Sequence, residues 1–265
     1  MTELSSADAP RSGNRHYHIA LERGELAEYI LLVGDPGRVP KVAAHFDSVD
    51  LERSNREITT ATGAYRGMPL SVMSTGMGTD NVEIVLAEVM EITDKAAFIR
   101  VGSCGALQPE IAIGDLVISI GAVRLENTTS YYVHPGYPAI AHRDVVNALE
   151  AACQQLGYRH HLGLTATAPG FYAPQGRAMR TLPVRYPELT EELRRQGVAN
   201  LEMESSALFV LAGLAGLRSG TVCAVYAQRT DGTFLEGAAK EAAEARCIDA
   251  GLAGIHLLWE RDSGG

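Results

Sequence analysis

Short apolar runs that end in glycine-rich or polar turns recur along this chain, and helical patterns alternate with them. The runs are uninterrupted and rich in β-branched residues, as strands buried on both faces of a sheet are. They occupy residues 29–33, 70–75, 96–101, 115–122, 162–167 and 221–227. The helical patterns occupy residues 80–92, 143–156, 187–196, 205–217 and 236 to about 259. This alternation predicts an α/β fold, a single domain with a central mixed β-sheet flanked by helices.

The composition narrows the class of protein. Of the 265 residues, 46% are hydrophobic and 21% charged, which suffices for one sizeable core. Residues 1–15 are polar and are predicted to be a disordered lead, followed by one domain over 16–265. No run approaches the ~18 apolar residues of a membrane-spanning helix. The net charge of −9 argues against extended nucleic-acid binding, yet a few local arginines would suffice for a small anion.

The four cysteines are widely spaced and include no C-x-x-C pair. In a chain of this length they are predicted to be reduced thiols in the core rather than a disulfide framework or a zinc site. Because no signal-peptide pattern is found either, a cytoplasmic protein is expected. The cysteines are Cys104, Cys153, Cys223 and Cys247.

In sheets of this kind, ligands bind at the carboxyl ends of the strands, so the residues after each run are candidate site residues. Gly34 and Arg38 follow the first run, where a glycine allows close approach of a ligand and an arginine offers a planar fork of donors. A tight turn with a solvated arginine is the alternative. Arg100 closes another run, and burying an unpaired guanidinium there is costly. An anion held by Arg100 and the Ser103 hydroxyl would offset that cost.

Two neighbouring patterns carry less weight. Residues 76–81 begin like the dinucleotide motif G-x-G-x-x-G but have Asn81 in place of the third glycine, which disfavours NAD binding. A glycine-rich turn that opens a helix still suits the wall of a ligand site. Ser103 lacks the G-x-S-x-G context of a hydrolase, and Cys104 fits a packed thiol better than a nucleophile.

Two later segments combine polar and apolar side chains. In 171–177, an aromatic ring can stack on a flat ligand while Gln175 and Arg177 bond its edge. In 202–204, two acids flank Met203, and a carboxylate can accept bonds from two neighbouring hydroxyls while the methionine forms an apolar wall. The alternative for these acids is to cap a helix that begins near Ser205.

Taken together, these motifs resemble the nucleoside phosphorylase superfamily with a single-domain α/β fold, and specifically its uridine phosphorylase branch. The resemblance runs from about residue 18 to the last helix, and its motifs occur in the order of the family. They are His18-Ile19-Ala20-Leu21, Gly34-Asp35-Pro36-Gly37-Arg38, Arg56-Glu57, Ser74-Thr75-Gly76-Met77-Gly78, Arg100 to Gly105, Gln175-Gly176-Arg177, Glu202-Met203-Glu204 and Gln228-Arg229-Thr230.

The resemblance implies a role for each position. It assigns phosphate binding to Gly34, Arg38, Arg100 and Ser103, with Arg56 reaching in from a neighbouring subunit. It assigns uracil binding to Phe171, Gln175 and Arg177, with Arg229 ordering the pocket beside a mobile flap. It assigns ribose binding to Glu202, Met203 and Glu204, with His18 of the neighbour at the 5′-hydroxyl. Among these, Arg100, Gln175, Arg177 and Glu204 are the expected catalytic residues.

The implied reaction is phosphorolysis of uridine to uracil and ribose 1-phosphate, with deoxyuridine and thymidine as further candidate substrates. Inorganic phosphate is then a co-substrate, and no metal or redox cofactor is required. The implied assembly is a homo-hexamer, a trimer of dimers, with active sites shared across each dimer. Some relatives hold a monovalent cation with a glutamate and a serine; here Glu57 is present but Asn81 replaces the serine.

The base is the least determined part of the expectation. Purine-cleaving relatives usually carry an aspartate after a serine in the segment that here reads Gln228-Arg229-Thr230, and its absence favours pyrimidines. A purine or broad-specificity nucleoside phosphorylase remains the alternative. A nucleosidase that uses water and a non-catalytic nucleoside-binding protein are further alternatives, which phosphate dependence and turnover would distinguish.

Overall fold

The computed structural model describes residue 7 and residues 9–264, and within them the predicted α/β architecture is confirmed. The strands are β1 Arg11–Ser12, β2 Arg15–His16, β3 Tyr29–Val33, β4 Ser48–Asn55, β5 Ile58–Tyr65, β6 Met68–Ser74, β7 Ala97–Ala106, β8 Leu116–Arg124, β9 Ala139–Ile140, β10 His160–Thr167, β11 Asn200–Glu202, β12 Arg218–Gln228 and β13 Thr233–Phe234. The helices are α1 Val39–Ala43, α2 Thr79–Ile92, α3 Arg143–Leu156, α4 Leu189–Arg195, α5 Ser205–Leu214 and α6 Gly237–Ser263.

The central sheet has mixed strand directions and is partly closed. Its strands follow the order β13-β12-β8-β10-β11-β7-β3-β6-β5-β4, and β9 pairs with β8. Because β12 also pairs with β7, the five strands β7, β12, β8, β10 and β11 form a closed ring. From β7, which belongs to both parts, the sheet continues as an open wing. The strands β6, β3, β7 and β12 run parallel to one another, so their carboxyl ends meet at one edge.

Helices pack against the sheet, and α6 is the longest of those described. It packs on α3, β12, β7 and β3. Two glycines permit the close approach: a Cβ at Gly251 would lie 2.4 Å from the Val101 side chain, and one at Gly254 would lie 2.8 Å from that of Leu149. Side chains on the first turns of α6 are thereby carried to the edge where the parallel strands end.

Two parts of the chain differ from the sequence-based expectation. The hairpin of β4 and β5 was not predicted, because β4 is largely exposed and reads as a charged segment. Within the lead expected to be disordered, β1 pairs with β2, and the Arg15 guanidinium contacts Glu22 at 2.8 Å and Glu25 at 2.6 Å. Residues 1–6 and 8 of that lead lie outside the described residues.

Two further observations concern the cysteines and the hydropathy of the helices. All four cysteines are buried and none is in a disulfide. In the part of the chain that the structure describes, no helix combines the length and the apolarity that crossing a bilayer would demand.

Candidate active site

A cavity of about 950 Å³ opens where β3 and β6 end and runs beside the second halves of β7 and β12. Strand β11 runs antiparallel to β7 and brings residues 202–204 back along it. The cavity is lined by ten of the thirteen predicted site residues, which lie far apart in the sequence. They are Gly34, Arg38, Arg100, Ser103, Phe171, Gln175, Arg177, Glu202, Met203 and Glu204.

Arg100 lines the cavity and is only 6% exposed. Its Nε donates to Glu202 at 3.2 Å, and its Nη2 donates to Glu204. The cost of burying this guanidinium is thus met by two carboxylates of the protein, whereas the sequence led us to expect an anion. Burial acts to lower the pKa of Arg100, but the charge of Glu204, with Cys223 and Glu202, raises it overall.

Space around Arg100 is kept open by two glycines. A Cβ at Gly102 would lie 2.9 Å from the guanidinium carbon of Arg100, so a side chain there would displace it. A Cβ at Gly34 would lie 3.8 Å from Nη1 of Arg100. Gly34 therefore places its backbone next to the guanidinium, as the backbone donors of an anion site require.

Glu202 supports the site through a carboxylate that is saturated with donors. It accepts hydrogen bonds from the Thr167 hydroxyl at 2.6 Å and from the amides of Glu204 at 2.9 Å and Ser205 at 3.0 Å, besides Arg100. Its side chain is fully buried. The capping alternative raised from the sequence therefore describes Glu202 well, since it satisfies the first amides of α5.

Glu204 is the acid of this segment that is placed for contact with a ligand. It accepts from the amide of Gly78 at 2.8 Å and from that of Met203 at 3.2 Å, in addition to Arg100. Burial raises the pKa of its carboxyl, against the opposing effect of Arg100. The Gly78 contact ties the glycine-rich turn before α2 to the wall of the cavity, the role that the sequence suggested for that turn.

Arg38 forms a second cationic group, which is paired with an acid that the sequence did not reveal. Its Nε donates to Glu244 of α6 at 2.7 Å, and its Nη1 donates to the carbonyl of Val101 at 2.9 Å. The other carboxylate oxygen of Glu244 accepts from Lys41 at 2.7 Å. The desolvation of Glu244 acts to raise its pKa, but the bonds from Arg38 and Lys41 lower it overall. No local pattern in the Ala-rich helix distinguishes Glu244 from its exposed neighbours.

Phe171, Gln175 and Arg177 form a third group in the cavity lining. The Arg177 guanidinium stacks on the Phe171 ring at 3.8 Å, and its Nη1 donates both to the Phe171 carbonyl at 2.7 Å and to Oε1 of Gln175. This fixes the Gln175 amide with its Nε2 as the remaining donor. Burial, followed by the charge of Arg229, lowers the pKa of Arg177 to about 10.

Three predicted residues do not line the cavity of their own chain. Arg229 lies behind the base end, where its Nη2 donates to the Gln175 carbonyl at 3.0 Å. Arg56 occupies the turn between β4 and β5 at φ +54° and donates to the Tyr17 hydroxyl at 3.1 Å. His18 lies 2.7 Å from Glu88 through Nδ1. The resemblance assigns Arg56 and His18 to the site of a neighbouring subunit, so this placement is compatible with it.

Three further residues considered in the sequence, Cys104, Glu57 and Asn81, lie at or near the cavity. Cys104 lies against Cys223, and burial raises the pKa of its thiol well above the usual range, which does not suit a nucleophile. Glu57 and Asn81 share the cavity rim, where the Asn81 amide donates to the Met77 carbonyl at 3.0 Å. Among the described residues, no group of three or more His, Cys, Asp or Glu side chains could hold a metal ion.

Comparison with known proteins identifies the family to which this closed strand ring and its cavity belong. The chain belongs to the phosphorylase superfamily, whose family model matches residues 28–251. It is 45% identical to the uridine phosphorylase of Thermococcus kodakarensis over 90% of this chain and 87% of that protein. The guanosine phosphorylase of Halorubrum lacusprofundi is 31% identical over 85% and 86% of the two chains.

A solved structure shows that the fold is also similar. The nucleoside phosphorylase of Trypanosoma brucei, described as showing uridine phosphorylase activity, superposes with a TM-score of 0.86 at 29% sequence identity. The match covers 94% of this chain and 99% of that one. The predicted single-domain phosphorylase fold is therefore confirmed.

Proposed function

We propose that this protein is a uridine phosphorylase, which cleaves uridine with inorganic phosphate to give uracil and ribose 1-phosphate. The observation that carries the proposal is the set of groups that line one cavity. The arginines Arg38 and Arg100 line it together with Glu204 and the Gln175–Arg177 pair. Such a set suits a ligand made of an anion, a polyhydroxylated ring and a flat base. The names of the similar proteins support the same reaction.

In the proposed mechanism, a phosphate oxygen forms a bond to C1′ while the bond from C1′ to N1 of uracil breaks. The bonding electron pair leaves with the base as the uracil anion, and the sugar passes through a state of oxocarbenium character. The anion then takes up one proton, which balances the proton that phosphate gives up on bonding to C1′. Arg38 and Arg100, the Ser103 hydroxyl and the backbone at Gly34 hold the phosphate in line, which is mainly a contribution of positioning. No covalent intermediate with the protein is needed.

The base end supplies the stabilisation that grows during the reaction. As the bond breaks, negative charge develops on the uracil ring, and the Gln175 amide and the Arg177 guanidinium are donors to that charge. An interaction that strengthens in the transition state lowers the barrier, whereas uniform binding does not. Glu204 contributes by accepting bonds from the ribose hydroxyls, with Met203 as the apolar wall.

We further propose a cytoplasmic homo-hexamer, a trimer of dimers, with active sites shared across each dimer, inorganic phosphate as co-substrate and no cofactor. Support for the sharing comes from Arg56 and His18, which do not line the cavity of their own chain. The buried free thiols support a reducing compartment.

The proposal is tested by an assay of purified protein with uridine, deoxyuridine, thymidine, inosine and guanosine, each with and without phosphate. We expect base release from uridine that requires phosphate. Guanosine and inosine represent the second candidate, a purine phosphorylase, which the guanosine phosphorylase relative keeps open. Faster turnover of a purine nucleoside than of any pyrimidine nucleoside would replace the proposed substrate, and base release without phosphate would replace the reaction.

A further inference from the structure

Glu244 is a buried acid at the phosphate end of the cavity, and it has no part in the mechanism above. It lies on the second turn of α6, and its carboxylate bridges Arg38 and Lys41 at 2.7 Å each. The Glu244 side chain is 10% exposed, and that of Arg38 is 8% exposed. An acid next to a site for an anion is unfavourable by charge alone, so its presence needs a reason.

The reason lies in how Arg38 is held. Of its three guanidinium nitrogens, Nε bonds Glu244 and Nη1 bonds the Val101 carbonyl. Within the described residues, Nη2 bonds no carboxylate or carbonyl, and it is the donor left for a ligand in the cavity, with the Tyr226 hydroxyl also close to this guanidinium. Holding a flexible arginine in one conformation costs side-chain entropy. Two acceptors, one on α6 and one on β7, hold the guanidinium in place before a ligand binds, so ligand binding loses less entropy.

We propose that Glu244 is a positioning residue for inorganic phosphate, acting through Arg38; this inference rests on the phosphate role assigned to Arg38 in the proposed function. Glu244 orients the guanidinium so that its free edge faces the phosphate. The α6 helix thereby becomes part of the phosphate site through its bond to Arg38. What matters in this role is the reach and acceptor geometry of the side chain rather than its charge.

Two conservative variants separate geometry from charge. Glu244→Gln keeps the length and an acceptor oxygen for Arg38 but loses the charge, and Lys41 is half-exposed, so it can turn to solvent. Glu244→Asp keeps the charge but is one methylene too short for a bond of 2.7 Å. Glu241→Gln is the matched control, because Glu241 is an exposed acid on the same helix at the cavity mouth.

The test is calorimetric titration of each variant with inorganic phosphate, together with the KM values for phosphate and for uridine. We expect Glu244→Asp to weaken phosphate binding by about tenfold, which is 1.4 kcal/mol. For Glu244→Gln and Glu241→Gln, we expect changes below about threefold, the size of a weak surface-charge effect. The KM for uridine at saturating phosphate should change less than about twofold in all three, since the base and sugar contacts are untouched.

A double-mutant cycle with Arg38→Ala provides the second measurement. If Glu244 acts through Arg38, Glu244→Asp has no further effect on phosphate affinity in the Arg38→Ala background. Equal losses in both backgrounds, or a larger loss for Glu244→Gln than for Glu244→Asp, would overturn the inference. Wild-type protein that binds no phosphate would refute the proposed function, whereas wild-type binding with unchanged Glu244→Asp would refute only the positioning role.

Discussion

Replacing Arg177 by alanine removes the guanidinium that stacks on the Phe171 ring at 3.8 Å and bonds the Gln175 amide. Although burial and then the charge of Arg229 lower the pKa of Arg177, the value of about 10 leaves it charged at neutral pH. A charge held in a half-buried position interacts more strongly with an anion than a solvated one does. The variant therefore loses its donor where negative charge develops on the departing base.

The magnitude follows from the kind of interaction that is lost. Removing one preorganised donor to a developing anion costs about 2.7–4 kcal/mol, a factor of 10² to 10³ in kcat. The loss of the bond to Gln175 also frees that amide, which acts in the same direction. Because the arginines of the phosphate end are not in contact with Arg177, affinity for phosphate should change less than about twofold.

The assay is phosphorolysis of uridine at saturating phosphate, combined with titration of phosphate into the variant without nucleoside. Arg180→Ala is the matched control, because Arg180 is an exposed arginine in the same segment and should leave kcat unchanged. A kcat of Arg177→Ala within about threefold of the wild type would refute the role assigned to this residue.

Three further predictions concern the supports of the site and its assembly. Replacing Glu202 by alanine leaves the buried Arg100 with one carboxylate and the amides of Glu204 and Ser205 without this acceptor. The free energy of unfolding in urea should therefore fall by about 3 kcal/mol. A loss below about 1 kcal/mol would contradict this prediction. Asp262 has its pKa lowered by the hydrogen bond from Arg218, so it stabilises the fold above the unfolded pKa of about 3.9 and loses that effect as the pH falls. Asp262→Asn should accordingly lower the melting temperature at pH 7, and the difference from the wild type should shrink in the acid range; a constant difference would be evidence against this ion pair. If Arg56 acts in a neighbour's site, mixing inactive Arg56→Ala and Arg100→Ala proteins under subunit exchange should restore about a quarter of the activity, because half of the dimers are mixed and each has one intact site. No recovery in subunits shown to exchange would contradict a shared site.

The parts of the fold that the sequence predicted well are those in which burial and local pattern agree. Strand β3 and helix α3 begin and end at the predicted residues, because one is a fully apolar run and the other a strongly amphipathic stretch. The β4–β5 hairpin escaped prediction because β4 is exposed and rich in charge, and its pairing with β5 is a tertiary contact.

The residues of the candidate site also differ in how far the sequence could predict them. Residues that follow strands, such as Arg38 and Arg100, could be predicted because parallel strands end at a common edge. Glu244 could not, since it lies 206 positions from Arg38 and reaches it only because glycines let α6 pack closely on the sheet. For Glu202, the two predicted roles were a site residue and a helix cap; the structure shows that it caps α5 while holding Arg100.

The central claim is that phosphate, rather than water, receives the sugar of uridine. Phosphorus NMR of purified protein with uridine and inorganic phosphate measures this directly, since the phosphate signal converts to that of a sugar 1-phosphate. We predict one equivalent of sugar phosphate for each uracil released and no uracil when phosphate is left out. Uracil formed without a sugar phosphate, or no uracil at all, would contradict the account.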